Sequence, residues 1–421
     1  MNTITKIFAL ILLVGATVTF TSCGDDGGDN TPKVVKDGII SSQDDDDLDP
    51  TALSGDVTAD VTITLADSPW KLTGPLAVKS GATLTIEAGV TLEATAGGTN
   101  VYLVVETGGK INADGTSSPI TFTSAASNPR NGDWGGVLIN GLAPISGETG
   151  ATSTTEVLPL SYGGTASADN SGVFKYVILE YTGARINGEK EFNGLTLYGV
   201  GSGSDINNIV INGGDDDGIE FFGGSVVVDN ILVINARDDM FDWTQGYTGG
   251  GDNWFGIRED GFTAISEDPR GIEGDGNLDG ESPSDANQSD VTIDGLTIYH
   301  GAATAAVEMA DMIKVRRGSS ATITNAMIAL GLNEDEDGTG SFADLIDLTD
   351  SKGDAADGTS ITYWYDANLS AYADGGDTKG GANTTTITAN VASTGASASV
   401  FAWSGFTLPT ITAASDIARQ D

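Results

Sequence analysis

One interval constrains this chain more than any other property. Asn208-Ile209-Val210-Ile211, followed by Asp216-Asp217-Gly218-Ile219-Glu220-Phe221, returns 22 residues later as Asn230-Ile231-Leu232-Val233, followed by Asp238-Asp239-Met240-Phe241-Asp242-Trp243. Leu197 stands the same distance before Ile219. The surrounding chain consists of short alternating runs bounded by Gly, Asn, Asp or Ser: Val61–Leu65, Thr83–Ile86, Val90–Leu92, Ile120–Phe122, Val137–Ile139, Val177–Leu179 and Leu195–Leu197. Period-two runs of this length specify strands, and no amphipathic helical pattern follows the N-terminal segment. An all-β body of this size is a sandwich, a propeller or a solenoid. A repeat near 22 residues with two or three short strands in each selects the parallel β-helix. One coil cannot bury its apolar side alone, and stacking coils at about 4.8 Å completes both the hydrogen bonds and the core. Leucine-rich repeats share the period, but their fixed Leu and Asn frame is absent. Val291–Ile298 and Ala321–Ile328 continue the pattern after a Gly/Asp-rich insertion at 258–289, and 333–357 reads as a second acidic loop. Thr384–Val391 and Val400–Phe406 read as closing strands.

Composition narrows the function. The chain has 421 residues, with 60 acidic against 19 basic side chains and a formal charge of −41. Such a balance excludes a free-standing nucleic-acid binder, which needs clustered Lys and Arg against phosphate. The 58 glycines are roughly twice the usual share but lack the every-third-residue period of collagen. The single cysteine excludes a disulfide framework and any Cys-based zinc site.

The N-terminus reads as an address. Ile7–Phe20 is an apolar run too short to span a bilayer and suited to the core of a signal peptide. Phe20-Thr21-Ser22-Cys23 resembles the lipobox of bacterial lipoproteins, which implies lipidation at Cys23 and anchoring without a transmembrane helix. The following Gly24-Asp25-Asp26-Gly27-Gly28-Asp29 resembles the surface-export signal of Bacteroidota lipoproteins. Expected divisions are a leader at 1–22, an acidic tether at 23–56 kept extended by self-repulsion, a β-helix at 57–378 and C-terminal capping strands at 379–421.

Trp70-Lys71-Leu72-Thr73-Gly74, Gly81-Ala82-Thr83-Leu84-Thr85-Ile86-Glu87-Ala88-Gly89, Gly132-Asp133-Trp134-Gly135-Gly136-Val137, Asp169-Asn170-Ser171-Gly172-Val173 and Asp238–Asp242 with Gly246-Tyr247 form a recognisable set. Together they resemble the secreted or lipid-anchored right-handed β-helix proteins of Bacteroidota. The resemblance covers roughly 60–330. It implies an all-β, right-handed parallel β-helix with loop insertions, and it carries over no catalytic residue.

Candidate chemistry sits on the repeated acids. The 22-residue interval stacks Asp216 over Asp238 and Glu220 over Asp242, with Asp217 and Asp239 alongside. Carboxylates stacked at about 5 Å repel unless a cation or proton shares them, and hard oxygen ligands in a Gly-rich turn suit Ca²⁺. Asn212 and Asn235 are candidates to complete the shell. Asp275-Gly276-Asn277-Leu278-Asp279-Gly280 matches the first half of a Ca²⁺ loop, although the twelfth position is Ala286 rather than Glu. Arg237, Tyr247, Trp254 and Arg258 beside the acids are candidate ligand-binding residues. Aromatic faces pack on sugar C–H patches, and β-helix polysaccharide lyases pair Ca²⁺ with a basic residue. The order of Asp215-Asp216, Asp238-Asp239, His300 and Lys314-Val315-Arg316 is similar to that of β-helix glycosidases, but Tyr299 replaces their Gly before the His.

Three functions remain open at this level. The favoured one is a non-enzymatic protein anchored through lipid to the outer membrane and exposed at the cell surface, binding calcium and glycans, with a polysaccharide or an outer-membrane transporter as partner. The others are a lyase or glycoside hydrolase using the 216–242 coils, and a structural or adhesive spacer.

Overall fold

The computed structural model describes residues 36–186, 190–259, 261–301, 308–330, 342–365 and 377–409. The leader and Cys23 lie outside the described residues. The chain winds into a right-handed parallel β-helix whose coils present three faces, here A, B and C. Face A stacks Leu103–Val105, Val137–Asn140, Leu195–Tyr198, Ile219–Phe222, Phe241–Thr244, Arg270–Asp275, Met309–Arg316 and Phe342–Asp347, all parallel. Faces B and C share long strands such as Asp205–Gly214, Val228–Ala236, Gly250–Arg258 and Asp290–His300, each bent at one corner.

The corner is set by local chemistry. Asn208, Asn230, Asn253 and Asn325 have φ of 53°, 59°, 60° and 53°, a left-handed conformation that Asn tolerates because its short amide bonds locally. Their amides also bond up the stack: Asn230 Nδ2 donates to Asn208 Oδ1 at 3.2 Å and Asn253 Nδ2 to Asn230 Oδ1 at 3.1 Å. The recurring Asn in the repeat is therefore a corner post. Between corners the alternation turns Ile209, Ile231, Trp254 and Leu296, which pair in register, into the interior.

The 22-residue interval holds where it was read most directly, with Ile209 opposite Ile231 and Glu220 opposite Asp242. It fails one coil earlier. Leu195, not Leu197, pairs with Ile219, so Leu197 faces Phe221 and Tyr198 faces Phe222. The 258–289 insertion conceals a strand, Arg270–Asp275, which occupies face A between Phe241–Thr244 and Met309–Arg316. The 333–357 loop likewise contains Phe342–Asp347.

The ends differ from expectation as well. The stretch 36–56 is not an extended tether: Ile39–Ile40 pairs with Leu53–Val57, which pairs with the next coil. Its acids bond the backbone instead of repelling, since Asp47 accepts the N–H groups of Asp37 and Gly38 and Asp45 accepts that of Ser41. At the other end Thr386–Ala389 is a closing strand. Ala398–Ser404 is a 3-10 helix rather than a strand, and it lays Phe401 on the outer face of C against Val210, Leu232, Phe255 and Ile257.

Candidate functional site

The acid-rich site is built from the corner between faces C and A and the first residues of face A. Ile219, Phe221, Phe241 and Trp243 point inward and are fully buried, so the intervening Glu220 and Asp242 point outward. Register places Glu220, Asp242 and Glu273 on successive rungs of one column. At the corner, Asp217 Oδ1 accepts the Asp239 N–H at 2.8 Å and Asp239 Oδ1 accepts the Arg270 N–H at 2.5 Å. Each aspartate thus ties one coil to the next with one oxygen; Asp217 keeps the other for the site, whereas Asp239 Oδ2 faces Arg270 Nη1 at 3.9 Å.

The oxygens converge. Asp216, Asp217 and Asp238 place carboxylate oxygens within 4.8 Å of one another, as do Asp217, Glu220 and Asp242, and Asp239, Asp242 and Glu273. The second and third groups share Asp242, whose Oδ1 has no hydrogen-bond partner. Asn193 Nδ2 donates to Glu220 Oε2 at 2.6 Å, leaving Asn193 Oδ1 buried without a partner. Burial pushes the Asp217, Glu220, Asp239 and Asp242 carboxyls well above the ordinary range, and neighbouring carboxylates push them further. Asp216 is raised by the same causes, burial first and Asp238 second. A set of this kind must carry protons or hold a cation.

Arg258 lies beneath the corner, fully buried, with Nε donating to the Ala236 carbonyl at 3.2 Å and Nη2 donating to that of Asp238. Burial lowers its guanidinium to about 10, against the pull of Asp239 and Asp238. It offsets part of the negative charge from inside, where no ligand reaches it. Arg237 Nε turns to Asp215 at 3.8 Å, away from the ladder.

Several expected assignments do not hold. Tyr247 and Trp254 are interior residues: the Tyr247 hydroxyl donates to the Val226 carbonyl at 2.8 Å, Trp254 Nε1 donates to that of Val228 at 2.8 Å, and both rings stack on Phe221. Their period-two phase put them inward. Asn212 donates to Glu180 and Asn235 to Glu259, outside the ladder. The 275–280 segment is no cation loop. Asp275 is held by Arg316 Nε at 2.8 Å and Arg317 Nη1 at 2.5 Å. Asn277 spends its amide on Gln288, Arg317 and Ser282, and Asp279 is a left-handed residue whose carbonyl accepts Lys352. His300 lies on face C opposite Arg258, while Lys314 is bonded to Asp347 at 2.6 Å on face A, so the glycosidase-like order is not assembled in space.

Sequence reasoning missed Glu273 and Asn193. Gly271-Ile272-Glu273 repeats Gly218-Ile219-Glu220, a signal hidden by the lengthened turn before it. Asn193 arrives from a loop outside the repeat.

A family model, the pectate-lyase-like β-helix domain, matches residues 55–405. The chain belongs to the pectate-lyase-like β-helix family. The match begins two residues into the Leu53–Val57 strand and ends just past the 3-10 helix that covers face C, so the family domain takes in the coils from there onward and leaves out the first strand, Ile39–Ile40. No curated protein and no solved structure matches the chain.

Proposed function

We propose that this protein is a lipid-anchored, surface-exposed envelope protein that binds calcium on the acid rungs of face A and engages glycans beside them without chemistry of its own. The observation that carries the reading is the convergence of Asp217, Glu220 and Asp242, whose carboxylate oxygens lie within 4.8 Å of one another and have no ion-pair partner among the described residues. Ca²⁺ takes six to eight oxygens in flexible geometry, which suits donors drawn from two neighbouring coils. Membership of the pectate-lyase-like β-helix family is compatible with a role at a polysaccharide. The lipobox-like Phe20–Cys23 supports the anchor and the acidic stretch after it supports surface exposure. Arg237 and Arg258, the two residues a lyase reading would need as a base, are engaged in structural contacts, which favours binding over cleavage.

The test is thermal unfolding of the protein in EDTA, then with Ca²⁺ or Mg²⁺ added back. A rise specific to Ca²⁺ that disappears in Asp217→Asn with Asp242→Asn supports the site. An unchanged midpoint with either ion rejects it. Glycan retention is then measured with Ca²⁺ present, together with reducing ends and unsaturated products, whose appearance would replace binding by catalysis.

A further inference from the structure

Asn193, Asp217 and Asp239 hold equivalent corner positions on three successive coils, each two residues before the inward residue that opens face A. Those inward residues, Leu195, Ile219 and Phe241, pair in register. Two of the three corner side chains make the same bond. Asp217 Oδ1 accepts the Asp239 N–H at 2.8 Å, and Asp239 Oδ1 accepts the Arg270 N–H at 2.5 Å. By that pattern Asn193 Oδ1 would accept the Asp217 N–H. Instead its side chain turns to the acid column, where Nδ2 donates to Glu220 Oε2 at 2.6 Å. Asn193 is 2% exposed, and its Oδ1 has no hydrogen-bond partner.

This departure is unfavourable for the fold alone. A buried carbonyl left without a donor loses its hydration and gains no bond in return. The gain is proximity to the unpaired acids. Nδ2 and Oδ1 of one amide lie about 2.2 Å apart, so Oδ1 stands no more than about 4.8 Å from Glu220 Oε2. Two oxygens on one Ca²⁺, each at about 2.3–2.6 Å from the ion, are separated by no more than about 5.2 Å. Asp217, Glu220 and Asp242 already bring carboxylate oxygens within 4.8 Å of one another, and Asp242 Oδ1 is likewise without a partner. Arg270 reaches Asp239 and Glu273 but none of these three.

We infer that Asn193 is a ligand of the cation held by Asp217, Glu220 and Asp242: Oδ1 binds the ion while Nδ2 fixes Glu220 beside it. A neutral amide oxygen adds a donor without adding to the mutual repulsion of the three carboxylates. The site then draws on three coils, those of Leu195, Ile219 and Phe241. This rests on the calcium-binding reading above and adds to it a residue from outside the acid repeat.

The experiment compares four forms of the protein: wild type, Asn193→Ala, Asn193→Asp, and Asp217→Asn with Asp242→Asn. Each is titrated calorimetrically with Ca²⁺. Each is then loaded with Tb³⁺, whose luminescence lifetimes in H₂O and D₂O count the waters on the bound ion. Asn193→Ala removes both amide atoms, whereas Asn193→Asp keeps an oxygen and removes only the donor to Glu220. The expected result is Ca²⁺ binding weaker by about tenfold or more in Asn193→Ala, with one additional water on Tb³⁺. Asn193→Asp is expected to stay within about tenfold of wild type with its water count unchanged. Equal weakening of both variants at an unchanged water count would make Asn193 a positioning residue for Glu220 and overturn the inference. Wild-type affinity and water count in Asn193→Ala would also overturn it, and loss of binding in the double variant would then leave the calcium reading standing. Absence of binding by wild type would sink both. If Asn193→Ala does not fold, Asn193→Asp decides alone: an added water on Tb³⁺ or a larger loss of Ca²⁺ affinity overturns the inference.

Discussion

Face A carries two charge regimes on one continuous sheet. On the rungs of Ile219–Phe222 and Phe241–Thr244 the corner positions and the outward Glu220 and Asp242 are acids, with Arg258 buried behind them and Arg270 reaching only Asp239 among them, at 3.9 Å. From Arg270 onward the same face alternates sign. Arg270 reaches Asp311 at 3.1 Å and also Glu273, Lys314 reaches Asp347 at 2.6 Å, and Arg316 and Arg317 clasp Asp275. The carboxyls respond accordingly. Asp347 sits below the ordinary range, its hydrogen bonds to Lys314 and Thr349 outweighing the larger raising effect of burial, whereas Glu220 and Asp242 sit well above it. Strand geometry is shared, but Glu220 and Asp242 are more deeply desolvated than Asp347 and lack the lysine that Asp347 has. Where the chain provides its own, the acids are finished structure; where it does not, they are open to an ion from outside.

The largest expected effect comes from breaking the balanced half. Arg270→Met strips partners from Glu273 and Asp311 at once, and removing one side of a buried pair costs about 3–5 kcal/mol. Urea unfolding should show it with or without Ca²⁺. Next is Asp242→Asn, which removes a buried like charge from the unbalanced half. In EDTA it should stabilise by on the order of 1–2 kcal/mol, the scale of a one-unit pKa shift, and in Ca²⁺ it should destabilise. A change of the same sign in both buffers would erase the distinction between the two regimes.

Acidity sharpens the comparison. Glu156, between the paired strands Thr152–Thr154 and Ser161–Gly163, is raised from 4.5 to about 7 by burial first and then by Glu191 and Asp279. Its folded form binds the proton more tightly than the unfolded chain, so its contribution is full below about 4.5 and is lost as pH rises through about 7. Glu156→Gln should flatten that fall in unfolding midpoints measured from pH 4.5 to 8. The lowered Asp347 behaves oppositely: its contribution is present at neutral pH and is lost as pH falls below 3.8. The smallest effect belongs to Lys379→Met. Its ion pair with Asp344, at 2.5 Å, lies on the balanced face, but the lysine is 46% exposed, and exposed pairs are worth about 0–1 kcal/mol.

Much of this was legible in the sequence. Strand alternation and the recurring Asn and Asp pointed to the coil and to six of the ladder acids, because period and burial phase act locally, whereas the corner role of the Asn emerged only from its backbone conformation. Three things were not legible. The coil before Ile219 is two residues longer than the repeat, so Tyr198 was not aligned with Phe222. The turn before Arg270 is longer still, which concealed Glu273. The inward placement of Tyr247 and Trp254 is the third, since their position beside the acids reads as accessible while the interior of the solenoid claims both rings. Cross-coil pairing decides such placements, and turn length, on which pairing depends, leaves little trace in pattern.

The most direct measurement is calorimetric titration of Ca²⁺ into wild type, Asp217→Asn with Asp242→Asn, and Asp311→Asn with Asp344→Asn. The last pair belongs to the cluster of Asp311, Asp344 and Asp347, whose oxygens also lie within 4.8 Å but which Arg270, Lys314 and Lys379 already neutralise. The account predicts saturable binding in wild type, its loss in the first variant and its retention in the second. Absence of binding in wild type, or equal loss in both variants, would contradict it.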